Sequence, residues 1–168
     1  MYMNNQEKEI LKTVEKLAKK LPKFPDGRIN YSNSDTALVL TIFIKYKEEI
    51  LILKRSNKVS TYQGRWNTVA GYIDEIKPIH DKIFEEINEE IGVKKDNILS
   101  QRIGKSYTFK DMKVNKTWIV CPVLVELKNK PNIKLDWEHT EYKWIKPDEL
   151  KKFNIVPKIE ESLRRAIN

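Results

Sequence analysis

The chain has 168 residues, of which 40% are hydrophobic and 33% are charged, and its formal net charge at pH 7 is +8. This length is enough for one domain with its own core, and fixed-period repeats and low-complexity tracts are absent. No apolar run reaches the roughly 18 residues of a membrane helix, and the start of the chain has no apolar signal-peptide region. We therefore expect a cytoplasmic protein without a membrane partner. Cys121 is the single cysteine, which excludes an intrachain disulfide and predicts a buried thiol in a strand.

The excess of positive charge favours a partner that carries phosphate. Lysines outnumber arginines 26 to 6, however, and they are spread along the whole chain. This distribution is as typical of a general compositional bias as of nucleic-acid binding. Charge alone therefore leaves a nucleic-acid partner open.

Apolar residues recur at helical spacing from Gln6 to Leu21, and Pro22 follows them. We predict an N-terminal helix here, followed by a polar loop. The chain then divides into residues 1–34, a helix and linker that pack on the domain or on a partner, and residues 35–168, the main domain. The wide apolar face of the helix must be covered, so a homodimer formed through it is one expectation.

The rest of the chain alternates β-branched segments with helical ones. A hairpin is predicted from Thr36–Tyr46 and Glu49–Ser56. Further strands are predicted at Trp66–Ile73, Leu99–Phe109, Thr117–Leu127 and Glu141–Ile145, with helices at Ile79–Ile91, from Pro147, and at Pro157–Ile167, where the proline takes the first position. Strands on both sides of a central helix predict a mixed α/β layered domain.

The stretch GYIDEIKPIHDKIFEEINEEIGV, residues 71–93, gathers carboxylates in an otherwise basic chain. On a helix that turns ~100° per residue, one stripe is apolar and consists of Ile83, Phe84, Ile87 and Ile91. The face beside it is acidic and consists of Glu86, Glu89 and Glu90. Like charges at this spacing destabilise an isolated helix, and a bound cation removes the repulsion. Carboxylate oxygens suit Mg²⁺ or Mn²⁺, whereas a solvated acidic face is the alternative.

The same stretch resembles the Nudix box of the Nudix hydrolases, G-x5-E-x7-R-E-U-x-E-E-x-G-U, in which U is aliphatic. With Gly71 on the first glycine, the alignment holds over 23 residues without a gap, through Glu86, Ile87, Glu89, Glu90, Gly92 and Val93. The flanking "LILKRS", "GRWNTVAG" and "WEHTEYKWIKPDEL" also resemble the family, so the likeness covers about residues 37–150. It implies a Nudix-like α/β/α sandwich with a mixed sheet, here with an N-terminal helical extension.

Three positions depart from the family pattern. Lys77 stands where the family has its first Glu, Glu85 where it has Arg, and Ala70 where a glycine usually precedes Gly71. Because the charges at positions 77 and 85 are exchanged, we predict that Lys77 approaches Glu85 within about 4 Å and rebuilds the contact between loop and helix. The alternative is a decayed box without activity.

The resemblance implies a metal-dependent hydrolase that cleaves a pyrophosphate bond in a nucleoside diphosphate linked to another moiety. Its cofactor is then Mg²⁺ or Mn²⁺, and its partner a small molecule of the nucleoside diphosphate type. By this carry-over Glu86, Glu89 and Glu90 are metal ligands, with the backbone carbonyl of Gly71 as an addition. A divalent cation neutralises the phosphates and activates the attacking water.

The remaining site candidates have less support. Glu86 is the first choice for the general base implied by the resemblance, and two alternatives lie outside the box, Glu138 and Glu141. The candidates for substrate binding are Arg55, Lys54 and His139. Arg55 fits a phosphate clamp, whereas a surface cation is its alternative, and a surface histidine is the alternative for His139.

Two other functions stay open. A decayed Nudix domain binds or senses a nucleotide or RNA without cleaving it, and Lys77 and Glu85 favour that alternative. Isopentenyl-diphosphate isomerases share the fold and have a lead-in similar to "KRS…GRWNT", but they need a cysteine shortly after it, where this chain has Val69 and Ala70.

Overall fold

A computed structural model of the chain describes residues 3–168. Met1 and Tyr2, which belong to the predicted region 1–34, lie outside the described residues. The helices are α1 (Asn5–Lys20), α2 (Ile79–Ile91) and α3 (Ile159–Ile167), with 3₁₀ turns at Lys95–Asn97 and Pro147–Lys152. The strands are β1 (Thr36–Tyr46), β2 (Glu49–Arg55), β3 (Trp66–Asn67), β4 (Val69–Tyr72), β5 (Ile98–Ile103), β6 (Tyr107–Asp111), β7 (Lys116–Leu127) and β8 (His139–Ile145).

The sheet is mixed, and β1 lies at its centre. On one edge β1 pairs in parallel with β7, from Thr36 opposite Thr117 to Lys45 opposite Glu126. On its other edge it pairs antiparallel with β4 and, nearer its end, with β2. Strand β2 in turn pairs with β3 and β8, and β7 with β5 and β6. Because β1 has neighbours on both edges and layers on both faces, its sequence is a nearly continuous apolar run.

Two apolar clusters cover the opposite faces of this sheet, as the alternation of side chains along a strand requires. Leu40, Ile42 and Ile44 belong to the cluster that includes α1 and α2, whereas Phe43 belongs to the cluster that includes α3. Helices therefore cover both faces, which confirms the predicted α/β/α sandwich with a mixed sheet.

Helix α1 packs on its own domain. It begins with a capping box between Asn4 and Glu7, and its Ile10 and Val14 are buried in the same cluster as α2. His80 at the start of α2 lies 2.7 Å from the Glu7 carboxylate and links the two helices. The domain itself thus covers these α1 residues, and a second copy is not needed for them. A homodimer stays a prediction, which the mass of the protein in solution tests.

Some boundaries differ from the predicted ones. The hairpin of β1 and β2 is confirmed, but the single strand predicted at 99–109 is wrong. The strand is interrupted at residues 104–106, between β5 and β6, and a Cβ on Gly104 would lie 2.2 Å from the backbone oxygen of Arg165. The strand predicted at 66–73 is divided at Thr68, whose hydroxyl donates a hydrogen bond of 2.6 Å to the Ile42 carbonyl. Helix α3 begins two residues after Pro157, because Lys158 adopts a left-handed conformation.

The structure also bears on the cysteine and on membrane helices. Cys121 is fully buried on β7, as predicted. Among the helices of residues 3–168, none combines the length and the apolar character that crossing a bilayer requires.

Candidate active site

The close approach of Gly71 and Glu86 organises the site. Gly71 lies on β4, and a Cβ built on it would be 2.1 Å from the carboxyl carbon of Glu86. No residue with a side chain fits at position 71 without displacing this carboxylate. The glycine therefore lets the acidic helix α2 pack directly on the backbone of β4.

Helix α2 presents its faces as the sequence predicts. Ile83, Ile87 and Ile91 are fully buried against the sheet. Of the neighbouring glutamates, Glu90 is only 3% exposed and Glu86 8% exposed, whereas Glu89 is exposed to solvent. The acidic face therefore begins inside the core and ends at the surface.

Burial and mutual repulsion disfavour the charged forms of these carboxylates. Burial raises the pKa of Glu90 well above its usual range, and the charges of Glu138, Glu86 and Asp136 raise it further. Burial also raises the pKa of Glu86, although Lys82 opposes the effect. The pKa of Glu138 is raised by burial and by Asp136, and Arg55 opposes that shift. These carboxylates are thus close enough to repel one another.

A cavity of about 460 Å³ opens beside this cluster. Its lining includes the carboxylates of Asp74 before α2, of Glu86 and Glu89 on α2 and of Glu138 in the loop before β8, together with Gly71. The volume lies within the ~300–1,000 Å³ of typical small-molecule sites. Glu90 lies outside this lining, and its oxygens are 3.4 Å from the backbone nitrogen of Ala70 on β4.

Arg55 is the predicted substrate-binding residue that the fold brings to the cavity. Its Nε donates a hydrogen bond of 2.9 Å to the backbone oxygen of Thr61, so the side chain also holds the loop after β2. Burial lowers the pKa of Arg55, yet an arginine stays charged at neutral pH. A guanidinium therefore faces the same cavity as the carboxylates.

The donor set fits a hard divalent cation in its chemistry. Glu86, Glu89, Glu90 and the Gly71 carbonyl offer oxygen atoms only. Burial first, and neighbouring carboxylates second, raise the pKa values of Glu86 and Glu90, and a bound cation would favour their charged forms. Among residues 3–168, however, no three His, Cys, Asp or Glu side chains form a group ready to hold a metal ion. The ligand assignment therefore stays a prediction.

The family model of the NUDIX domain matches residues 34–166. The chain belongs to the Nudix family. The match begins just before β1 and ends within α3, so helix α1 and its linker lie outside it. This confirms the family that the box residues indicated.

Solved structures agree on the Nudix fold. The MutT protein from Methanosarcina mazei Go1 is 21% identical, with a TM-score of 0.64 over 79% of this chain and 93% of that chain. A C. elegans Ap4A hydrolase in a binary complex is 21% identical, with a TM-score of 0.57 over 77% and 93%. The NUDIX domain of Shewanella oneidensis NrtR, in complex with ADP ribose, is 12% identical, with a TM-score of 0.64 over 79% and 89%. At these identities the likeness shows the fold alone. No curated protein sequence matches the chain.

The exchanged charges of the Nudix box form the predicted contact. Lys77 Nζ lies 2.6 Å from both carboxylate oxygens of Glu85 and 3.3 Å from Glu75. Burial lowers the pKa of Lys77, but Glu85 and Glu75 outweigh this and raise it overall. The contact between loop and helix is therefore present with reversed polarity, and the prediction is confirmed.

Lys82 is a site residue that the sequence reading missed. Its Nζ lies 2.9 Å from Glu86 and 3.4 Å from Asp74, and its side chain is 11% exposed. Burial lowers the pKa of Lys82, but Glu86 and Asp74 outweigh this effect and raise it, so the amine is charged. The signal was its position four residues before Glu86, the spacing at which opposite charges pair on a helix.

Lys54 and Glu141 are not among the residues that line the cavity. They form an ion pair of 2.7 Å with each other across β2 and β8. The reason is the alternation of side chains along a strand: Arg55 faces the cavity, so its neighbour Lys54 points to the opposite side. The structure therefore does not bring these two candidates to the box.

His139 is buried, which corrects the surface alternative for this residue. Its Nδ1 lies 3.0 Å from the Asp136 carboxylate, and its Nε2 lies 3.8 Å from Glu90. Burial lowers the pKa of His139, against the effect of Asp136. The histidine lies next to a box glutamate instead of lining the cavity.

The linker before β1 also reaches the cavity, which no local pattern indicated. Arg28 lines it and lies 3.7 Å from Asp74, and the backbone nitrogen of Ile29 donates a hydrogen bond of 2.7 Å to the Asp74 carbonyl. These partners are distant in sequence. Only the folded chain places a residue from outside the family match beside the box.

Proposed function

We propose that this Nudix protein is a metal-dependent pyrophosphohydrolase that cleaves a nucleoside diphosphate linked to another moiety. The observation that carries the proposal is one cavity shared by Gly71, Glu86 and Glu89 of the box, Glu138, and the guanidinium of Arg55. Carboxylates suited to a cation and an arginine suited to phosphate oxygens are the groups that pyrophosphate cleavage needs.

Glu86, Glu89 and Glu90, with the Gly71 carbonyl, would hold Mg²⁺ or Mn²⁺. When bound, the cation supplies charge neutralisation at the phosphates and a lowered pKa for the attacking water. Arg55 binds a phosphate oxygen and fixes the substrate's orientation.

For the general base we favour Glu138 over Glu86 and Glu141. Within residues 3–168, the Glu138 carboxylate has no ion pair, whereas Glu86 pairs with Lys82 and Glu141 with Lys54. Glu138 also lines the cavity, and burial raises its pKa towards the range of an effective base. In this proposal His139 supports Glu90 and does not contact the substrate.

The substrate class follows from the same cavity. Tyr72 and Trp137 line it and are 43% and 59% exposed, and aromatic rings of this kind are suited to stacking on a base. Two relatives of the same fold are described with nucleotides, the NrtR domain with ADP ribose and an Ap4A hydrolase. We propose a nucleoside diphosphate-type small molecule for this chain as well. The cytoplasmic location expected from the sequence stays a prediction, which cell fractionation tests.

The test is a panel of nucleoside diphosphate compounds incubated with Mg²⁺ or Mn²⁺, in which phosphate-containing products are measured. We expect cleavage of at least one compound. Binding without product release would instead identify a nucleotide sensor, and isomerised isopentenyl diphosphate would identify an isomerase. The only cysteine, Cys121, is fully buried and absent from the cavity lining, which gives the isomerase alternative no accessible thiol.

The base assignment has its own readout. A base must be deprotonated, so activity should rise with pH through the raised pKa of Glu138. In Glu138→Gln this rise should disappear and kcat should fall by about 10²–10⁴-fold. The matched control is Glu141→Gln, which removes a carboxylate outside the cavity. If Glu138→Gln keeps the pH profile of the wild type, Glu138 is not the base.

A further inference from the structure

Two lysines lie among the carboxylates of the box, and their partners differ. Lys77 contacts Glu75 and Glu85, neither of which is a predicted metal ligand. Lys82 contacts Glu86, which is one, and Asp74. One ammonium therefore lies directly on a carboxylate that the cation would also need.

The Lys82 contact is built into the fold. Asp74, Lys82 and Glu86 all line the cavity, and the two acids are 7% and 8% exposed. Buried carboxylates require a counter-charge, because burial removes their hydration. Arg28 reaches Asp74 only at 3.7 Å and has a side chain 46% exposed, so Lys82 is the closer and better shielded cation.

The position of the Glu86 carboxylate is fixed from the other side. It packs on the backbone of Gly71 so closely that a Cβ there would lie 2.3–2.4 Å from its two oxygens. Lys82 approaches one of these oxygens at 2.9 Å. The carboxylate is thus held between the β4 backbone and an ammonium on its own helix.

We propose that the Lys82 ammonium is a built-in cation of this site, which occupies between Asp74 and Glu86 a position that a divalent cation takes when the lysine is removed. The wild-type chain then binds one divalent cation fewer than a variant without the charge at position 82. Lys82 is a positioning residue, because it acts on Glu86. The inference rests on the proposed function only in treating Glu86 as a ligand.

The experiment counts Mn²⁺ ions bound to the full chain without substrate, by calorimetric titration and by electron paramagnetic resonance of free Mn²⁺. Lys82→Met keeps the aliphatic stem and removes the charge, and the count should rise by one. Lys82→Arg keeps the charge and should bind as many ions as the wild type. Lys77→Met is the matched control, because it removes a lysine whose partners are not predicted ligands; its count should stay unchanged.

Lys82→Met leaves the two buried acids, Asp74 and Glu86, without the lysine ammonium. When a chelator also removes divalent cations, the repulsion of these acids can prevent this variant from folding. The double variant Asp74→Asn, Lys82→Met removes one of these charges and keeps an oxygen donor at position 74. It should fold and still bind one more Mn²⁺ than the wild type. Equal counts in the wild type and in every folded variant that lacks the lysine overturn the inference.

The outcomes separate the inference from the proposed function. If the wild type cleaves its substrate with Mn²⁺ while loss of Lys82 adds no ion, the inference fails and the function stands. If loss of Lys82 adds one ion while the wild type cleaves no compound of the panel with Mg²⁺ or Mn²⁺, the inference holds and the proposed function fails. If loss of Lys82 adds no ion and the wild type cleaves no compound of the panel, both fail.

Discussion

At the scale of one residue, Glu90 is a buried carboxylate that the proposed function needs and that destabilises the fold. Its carboxylate is nearly fully buried, and its contacts are weak: the Ala70 nitrogen at 3.4 Å and His139 at 3.8 Å. Burial lowers the pKa of His139, so the imidazole offers little positive charge near neutral pH. Among the described residues the chain therefore leaves this charge largely uncompensated, as expected for a group that a bound cation completes.

The first prediction concerns activity. Glu89→Gln and Glu90→Gln keep the shape of each side chain but remove a charge that the proposed cation needs. Each should lower kcat/KM by about 10²–10³-fold, the scale measured for loss of one stabilising group in a transition state. Steady-state kinetics with saturating Mg²⁺ provide the measurement, and circular dichroism should show an unchanged fold. Asp81→Asn, an exposed change on the same helix, is the control and should keep wild-type activity.

The second prediction concerns stability. The pKa of Glu90 is raised in the folded state, so between its usual value of about 4.3 and the raised value the folded protein binds more protons than the unfolded chain. The free energy of unfolding therefore falls as pH rises through this window, and the full penalty applies above it. Removing the charge with Glu90→Gln should remove this loss.

Thermal unfolding in chelator checks this expectation. Glu90→Gln should melt above the wild type at pH ~8, by about 2–4 °C for each 1 kcal/mol of relieved repulsion. The difference should shrink as the pH approaches ~4.5. A difference that is the same at every pH would show that the charge of Glu90 is not its cause. The inactive variant is thus expected to be the more stable one in the absence of metal.

At the scale of the element, helix α2 and the loop before it are tied together by ions. Lys77 in the loop pairs with Glu85 on the helix, and Lys82 on the helix pairs with Asp74 in the loop. The two lysines thus bridge the same two segments in opposite directions. The exchanged charges of the Nudix box are therefore part of a working contact, which argues against decay of this segment.

The third prediction tests that contact. The double reversal Lys77→Glu with Glu85→Arg should retain more activity than either single change, because only the pair restores an attraction between loop and helix. Glu75 lies 3.3 Å from Lys77 and Lys82 lies 3.9 Å from Glu85, so the reversal brings like charges near both new residues. We therefore expect partial recovery. The coupling of the two changes in kcat/KM is the measurement, and strictly additive losses would mean that the pair does not shape the site.

Local patterns explain which elements the sequence predicted well. Helix α2 follows from Ile83, Ile87 and Ile91 at helical spacing, and its glutamates follow from the spacing of the Nudix box. The interruption between β5 and β6 did not follow, because the close contact of Gly104 there is with the backbone of Arg165, far away in the sequence. The burial of His139 was missed for the same reason, since its partners include Glu90 on another element.

At the scale of the whole molecule, the predicted layers were correct but their connections were not foreseen. Strands β1 and β7 pair in parallel, with Thr36 opposite Thr117, although the two segments are far apart in the sequence. Nothing local in either segment specifies this pairing. The contribution of Arg28 to the cavity is equally non-local. The N-terminal segment outside the family match is therefore part of the folded unit, both through this arginine and through the packing of α1.

The last prediction concerns this N-terminal helix. Ile10→Ala removes a side chain that is 3% exposed and packed in the cluster shared with α2, so it should lower the free energy of unfolding by about 2–5 kcal/mol. Lys12→Ala changes an exposed residue within one turn of Ile10, so it should change the free energy of unfolding only slightly. Chemical unfolding of both variants provides the measurement.

Because Ile10 is covered by its own domain, the loss should be the same at every protein concentration. A loss that depends on concentration would place the helix in a dimer interface instead, since association stabilises a folded chain by mass action. A homodimer that buries other surfaces remains compatible with a constant loss, and a monomer mass at micromolar concentration would contradict it.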